Sequence, residues 1–272
     1  MLPLAKQNEY RRRYAALNPQ WQASGDVYER LVRESLLYST QRSDDLSRPA
    51  TEVATTQRSD DLSRLATEVA TTVTTTRLLD LGGGRGGLIE LIHGEVGFAA
   101  ALDPDLISLR EHRVRTLPRA CGLADSIPFP ADQFDCVTAT WLIEHLVEPE
   151  RVFGEVRRVL RPGGRFVFLT PNAHHPLVMA NRLSQLAPAI QRRLVPRLYV
   201  RREADTFVVR YRANTGKRLR AVCERVGFNL ELKFVGDPTY TAFNASLFKL
   251  SAFLETFIPN ECKIHIIGVA VK

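Results

Sequence analysis

The residues with the most chemistry in this chain stand in one short stretch. LLDLGGGRGG, residues 78–87, ends an apolar run in Asp80 and then places glycine at 82, 83, 84, 86 and 87. Glycine adopts positive φ without strain and lets a ligand lie against bare backbone. An apolar strand, a glycine turn and a helix N-terminus make a site for a nucleotide-like ligand. Gly82, Gly84 and Gly87 satisfy GxGxxG, the dinucleotide pattern, whereas Gly82, Gly84 and Gly86 satisfy the shorter GxGxG. Asp103 ends the next apolar run, where an acid can take ribose hydroxyls. A Walker P-loop is excluded, because no GK[ST] follows the glycines.

The elements that must position these residues alternate between strand and helix. RLLDLG (77–82), FAAALD (98–103), ACGLAD (120–125), FDCVTAT (134–140) and RFVFLT (165–170) read as five strands. GLIELIHG (87–94), PDLISLREHRVR (104–115) and PERVFGEVRRVL (149–160) read as the helices between them. This rhythm predicts right-handed crossovers and a parallel sheet. TGKRLRAVCERVGF (215–228) predicts a further helix, LELKFVG (230–236) and KIHIIGVAVK (263–272) two final strands, and 245–257 a helix between those strands. The last two strands are expected as an antiparallel pair at the sheet edge.

The glycines alone leave two ligand classes open, a dinucleotide and S-adenosylmethionine. Asp80 breaks the tie, because a carboxylate there repels a pyrophosphate and suits a ligand carrying an ammonium group. Two further motifs follow in order, LADSIPFPADQFDCVTATWLIEHL (123–146) and VLRPGGRFVFLTPN (159–172). With them the chain resembles the class I S-adenosylmethionine-dependent methyltransferases, and within these the type 11 small-molecule group, from Arg77 to Asn172. Gly83 stands where that group commonly has Cys, and Arg85 where it has Thr or Ser. The resemblance implies a Rossmann-like seven-stranded, mostly parallel sheet with helices on both faces, its last strand antiparallel, and a helical lid inserted after strand five. It implies S-adenosyl-L-methionine as cofactor. Asp80 with the backbone of Gly82, Gly83 and Gly84 then holds the methionine part, Asp103 followed by Pro104 the ribose, and Asp125 with Ser126 the adenine. Ala139, Thr140 and Trp141 line the methionine side. A base is needed only for an acceptor of high pKa. His145 is the first candidate, ahead of His174 and His175, all beyond the carboxyl ends of strands four and five where ligands of such sheets bind.

Composition sets the outer bounds. The chain of 272 residues carries a net charge of +7, and is 44% apolar and 25% charged. Residues 181–225 hold twelve Lys/Arg and three Asp/Glu, a local +9, so the remainder sums to −2. Within 177–202, Leu183, Leu186, Ile190, Leu194 and Leu198 share one face, flanked by Arg182, Arg192, Arg193 and Arg197. The expectation is a basic lid at 174–212 over a small-molecule or lipid-like acceptor, with peripheral membrane contact through 177–202. Nucleic acid is disfavoured, because TATW and not a DPPY or NPPY motif follows strand four. Apolar runs fall short of the ~18 residues a membrane span needs, and no signal-peptide pattern opens the sequence, so a cytoplasmic setting is expected. Cys121, Cys136, Cys223 and Cys262 form no CxxC pair, so they read as buried free thiols with no metal site.

Ahead of the sheet, residues 1–39 read as a helical cap, with Tyr28, Leu31, Val32 and Leu36 on one stripe of a helix capped by Asp26. TQRSDDLSRPATEVAT (40–55) is then repeated as TQRSDDLSRLATEVAT (56–71), differing only at Pro49 against Leu65. Two such copies are too short for a solenoid and read as a duplicated connection, 40–76, into a methyltransferase domain over 77–272. The alternatives to methyl transfer are a nicotinamide-dependent oxidoreductase and a catalytically inactive cofactor-binding protein.

Overall fold

A computed structural model of the protein describes residues 4–47, 75–184, 208–238 and 245–272. Among the described residues two helices, α1 (Leu4–Leu17) and α2 (Ser24–Ser47), precede the sheet. The sheet then builds through β1 (Arg77–Leu81), α3 (Ile89–Ile92), β2 (Phe98–Asp103), α4 (Leu106–Arg110), β3 (Arg119–Cys121), β4 (Phe134–Thr140), α5 (Pro149–Val159) and β5 (Leu160–Pro171). It ends through α6 (Pro176–Ser184), α7 (Gly216–Val226), β6 (Asn229–Val235), α8 (Ala245–Glu255) and β7 (His265–Val271). The seven strands stand in the order β3-β2-β1-β4-β5-β7-β6. Strands β1 to β5 pair in parallel, and β7 runs antiparallel to both β5 and β6. The expected final antiparallel pair is present, with β7 inside and β6 as the edge.

Strand alternation assigns β1 to two layers. Leu79 and Leu81 pack with Phe153, Val156 and Leu219 beneath α5 and α7. Leu78 packs with Val27, Leu31 and Val32 of α2 and with Ile89 and Ile92 of α3. Asp80, in register with Leu78, therefore faces the α2 layer. Pro149 at the first turn of α5, the Thr215 hydroxyl accepting from Arg218 N–H, and Gly227 with φ +87 after α7 fix the helix ends on the other face.

Several boundaries differ from expectation. Helix α2 begins at Ser24, so Asp26 lies inside its first turn and does not cap it. It runs to Ser47, past the expected end of the cap at 39 and into the first copy of the repeat, whose remainder lies outside the described residues. The helix after β2 is Leu106–Arg110 and not 104–115. Asp105 caps it by accepting Ile107 N–H at 3.0 Å, and the chain then turns where His112 Nδ1 accepts Val114 N–H at 3.1 Å. Strand β3 stops at Cys121, because Ser126 N–H closes a turn on Leu123 O at 3.1 Å. All four cysteines are free, but only Cys136 and Cys223 are buried, and Cys121 is exposed. No described helix is long and apolar enough to cross a membrane.

Candidate functional site

The glycine turn folds back on the strand beside it. Gly82 N–H donates to Leu102 O at 2.8 Å, and Gly86 N–H to Gly83 O at 2.8 Å. Gly82 and Gly84 take φ of +74° and +47°, which a side chain would strain. A Cβ at Gly83 would meet the Cβ of Ala101 at 2.9 Å, so glycine at this position removes a clash. A Cβ at Gly87 would meet nothing within 4 Å, so the turn opens on free space.

Asp103 ties this turn to the end of β2. Its Oδ2 accepts Gly84 N–H at 2.9 Å and its Oδ1 accepts Asp105 N–H at 2.8 Å. Each oxygen keeps a second acceptor direction for a ligand hydroxyl. Burial raises its carboxyl pKa, against the lowering by those two backbone bonds. Asp80 is buried at the end of β1, and Thr138 Oγ1 from β4 donates to its Oδ1 at 2.8 Å. Burial pushes its pKa up to about 6, opposed by the Thr138 bond and reinforced by the charge of Asp103. No cation offsets that burial among the described residues. A buried carboxylate in this state is stabilised by an incoming ammonium or sulfonium. The residues present therefore fit a cationic ligand with a ribose.

Asp125 and Ser126 lie on the turn after β3, with Arg151 Nε 3.9 Å from Asp125 Oδ2. Asp125 is half-buried, and Ser126 and Pro104 are exposed. Ala139 is buried in β4. Trp141, just past β4, has φ +57°, a strained value for a bulky residue. Its N–H still bonds Leu169 O at 3.0 Å, and its ring meets His265 edge-on at 5.0 Å.

A cavity of about 430 Å³ lies against these strand ends. Thr140 and Trp141 of the expected site line it, with Gly87 and Leu88 from the glycine turn and Leu169 of β5. Its other wall is made by Arg11, Ser24, Asp26, Tyr28, Asp237 and His265. Tyr28 bonds Val167 O at 3.3 Å, and its phenol pKa is raised by burial and then by the charge of Asp80. It thus lines the cavity and lies within electrostatic reach of the buried carboxylate. His265 on β7 is buried, with Nδ1 2.7 Å from Ser24 Oγ. Burial, with lesser effects from His175 and Arg11, pushes its pKa down to about 3, so it is neutral at physiological pH.

The three histidines read from the sequence lie elsewhere. The Nδ1 of His145 is 3.1 Å from Val208 O, and the residue does not line the cavity. His174 is exposed. His175 is buried, with its pKa lowered to about 4 by burial, and its Nδ1 accepts Leu177 N–H at 3.2 Å. The neighbouring Glu144 is buried and structural. It accepts from Thr170 Oγ1 at 3.0 Å, and its carbonyl accepts from Arg210 and Tyr211 N–H. Sequence reasoning missed Arg11, Ser24, Tyr28 and His265. Tyr28 and His265 were visible only as members of a helical stripe and an alternating strand, and Arg11 and Ser24 gave no signal. Residues 185–207, including Arg192, Arg193 and Arg197 of the expected lid, lie outside the described residues.

The sequence profile of the methyltransferase domain family matches residues 43–233. The ubiquinone/menaquinone biosynthesis C-methyltransferase UbiE of Escherichia fergusonii is 28% identical over 170 residues, covering 56% of this chain and 65% of the relative. UbiE of Methylococcus capsulatus is 29% identical over 174 residues, covering 56% and 66%. The chain thus spans less than two thirds of the length of these curated relatives. A SAM-dependent methyltransferase from Archaeoglobus fulgidus shares the fold at a TM-score of 0.51 and 15% identity, over 79% of this chain and 95% of that one. The YcgJ protein from Bacillus subtilis does so at 0.50 and 17%, over 77% and 97%. The strand order, the glycine turn with its two buried acids, and a profile match over more than half the sequence agree: the chain belongs to the methyltransferase domain family.

Proposed function

We propose that this methyltransferase acts on a small-molecule or lipid-like acceptor held in the 430 Å³ cavity, at carbon or oxygen. The observation that carries this reading is the continuity of that cavity with the glycine turn through Gly87, and with the end of β4 through Thr140 and Trp141. Its volume falls in the range of small-molecule sites, roughly 300–1,000 Å³. The relatives named above are C-methyltransferases of ubiquinone and menaquinone biosynthesis, which supports an apolar acceptor.

Bound S-adenosylmethionine supplies a methyl group made electrophilic by its sulfonium. Asp80 and the backbone of Gly82 to Gly84 would hold the methionine part, whose ammonium would offset the burial that raises the Asp80 pKa. Asp103 with Pro104 takes the ribose, and Asp125 with Ser126 the adenine. Thr140 and Trp141 border the methionine side and, with Tyr28, exclude water and align the acceptor. An effective base has a pKa near the working pH, which His265 at about 3 does not. His145 is the alternative base, and loss of turnover in His145→Ala with unchanged acceptor binding would assign it that role. The deciding experiment is calorimetry with S-adenosylmethionine and with NADH, followed by transfer of labelled methyl into an organic extract of cells. Binding of NADH with no response to S-adenosylmethionine overturns the cofactor reading, and label confined to the aqueous phase overturns the lipid-like acceptor.

A further inference from the structure

Helix α8 and the turn that follows it carry an apolar face that the methyltransferase reading does not use. Phe253 and Phe257 are 61% and 69% exposed, Leu250 and Leu254 are about half exposed, and Leu247 lies on the same stripe. The two phenylalanine rings pack edge-on at 5.1 Å, so they support each other while facing outward. The one carboxylate of α8, Glu255, is buried and paired with Lys263 at 3.1 Å, so the exposed face carries a single charge, Lys249. The opposite side of α8 is fixed to α1, where Phe248 stacks on Tyr10 at 4.7 Å. Helix α1 holds Lys6, Arg11, Arg12 and Arg13 against Glu9, a net +3, with Arg12 and Arg13 exposed. Trp21 Nε1–H anchors the turn after α1 on Gly236 O at 2.7 Å. Arg11 of α1 and Asp237, which precedes α8, both line the cavity.

We propose that α8 and α1 together form a docking face for an anionic lipid surface, with the acceptor cavity at its border. An apolar helix face beside a basic helix is the pattern of interfacial membrane contact, in which the apolar residues enter the headgroup boundary and the cations meet anionic lipids. Exposed apolar clusters of this kind mark interaction sites on folded proteins. Charge selects the occupant. A second copy of this chain docked on the same face would bring two α1 helices of +3 into one interface, whereas an anionic bilayer complements them. The proposal builds on the lipid-like acceptor, since a site bordering the bilayer receives such a molecule without passage through water, but vesicle binding is measured without any acceptor.

The test is co-sedimentation of the full chain with vesicles of phosphatidylcholine alone and with added phosphatidylglycerol, with S-adenosylmethionine titration as the folding control. The wild type is expected to bind the anionic vesicles, and less so in high salt. Replacing Phe253, Leu254 and Phe257 together by Ser should weaken that binding by at least about tenfold, because each side chain loses its apolar burial, with cofactor affinity unchanged. Phe257→Lys, outside the helix, gives the same direction should the triple variant misfold. Arg12→Gln with Arg13→Gln should remove the preference for anionic vesicles. Wild-type binding by both apolar variants overturns the proposal, as does absence of wild-type binding. A wild-type dimer that the Phe253 and Phe257 variants convert to monomer also overturns it, in favour of a second copy. Vesicle binding without label in the organic extract leaves the docking face standing and removes only the lipid-like acceptor.

Discussion

The proposed site has two halves, one for the cofactor and one for the acceptor, built in opposite ways. The cofactor half is local in sequence: Asp80, Gly82 to Gly84 and Asp103 fall within 24 residues and are joined by adjacent parallel strands. The proposed acceptor half is the cavity lined by Arg11, Ser24, Tyr28, Trp141 and His265, which come from both ends of the chain and its middle. One half depends on strand geometry that any member of the fold must keep. The other depends on where two helices outside the sheet come to rest. Damage to the first should therefore appear in cofactor binding, and damage to the second in acceptor handling alone.

The largest effect is expected at Asp103. Asp103→Ala removes an acceptor that holds Gly84 and Asp105 and is proposed to hold the ribose. S-adenosylmethionine affinity should fall by about 1.5–3 kcal/mol, or roughly 10- to 150-fold, by calorimetry. Wild-type affinity in the folded variant would break the comparison, because the ribose would then be held elsewhere.

Next comes Asp80. Its folded pKa of about 6 lies above the ordinary 3.8, so the ligand-free protein loses stability as pH rises between those values. Affinity for a cationic ligand should gain over the same window, because the ionised form is the one that attracts it. Titrations from pH 5 to 8 should show affinity rising to a plateau above about 6. Asp80→Asn should flatten that profile, and an unchanged profile would place the titrating group elsewhere, Asp103 being the first alternative.

How much of this was legible in the sequence follows from the same contrast. The seven strands, the helices α5, α7 and α8, and the glycine turn with Asp80 and Asp103 beside it were readable, because glycine spacing and alternation act over a few residues. The cavity wall was not. Ser24 reaches His265 across 241 residues, and no periodicity encodes such a pairing. His145 drew attention as a titratable residue beyond strand four, yet its ring is turned to Val208 O. Even within the readable part, boundaries failed where a side chain intervened, as at the Asp105 cap.

A smaller, acceptor-specific effect is expected at Arg11. Arg11→Ala should raise the acceptor KM several-fold and leave cofactor affinity within about twofold, since it lines the cavity and not the glycine turn. Neutralising Arg192, Arg193 and Arg197 together should likewise spare cofactor binding while impairing acceptor turnover. A loss of cofactor affinity in either variant would blur the division between halves.

The smallest effect is expected from deleting residues 40–55. Helix α2 uses TQRSDDLS (40–47) as its last turns, and residues 56–63 are identical. The deletion therefore restores the same residues to the helix end and puts Leu65 where Pro49 stood. Thermal melting and cofactor titration should be nearly unchanged. A melting temperature lowered by more than about 8 °C, over 2 kcal/mol for a domain of this size, would show that the first copy packs against the sheet in a way the second cannot replace.

The position of β7 also sets an order of events during folding. Among the described residues edge strand β6 pairs only with β7, and β7 must slot between β6 and β5, which have 57 residues between their nearest ends. Until β7 is in place, β6 has no neighbour and the open side of β5 presents unpaired amides to solvent. Sheet completion therefore cannot proceed in chain order, and it waits on contacts of long sequence separation, the slow kind. Amide protons of β6 should gain protection from exchange later in refolding than those of β1 and β4, and the exposed flank of β5 is where a stalled chain would recruit a foreign strand.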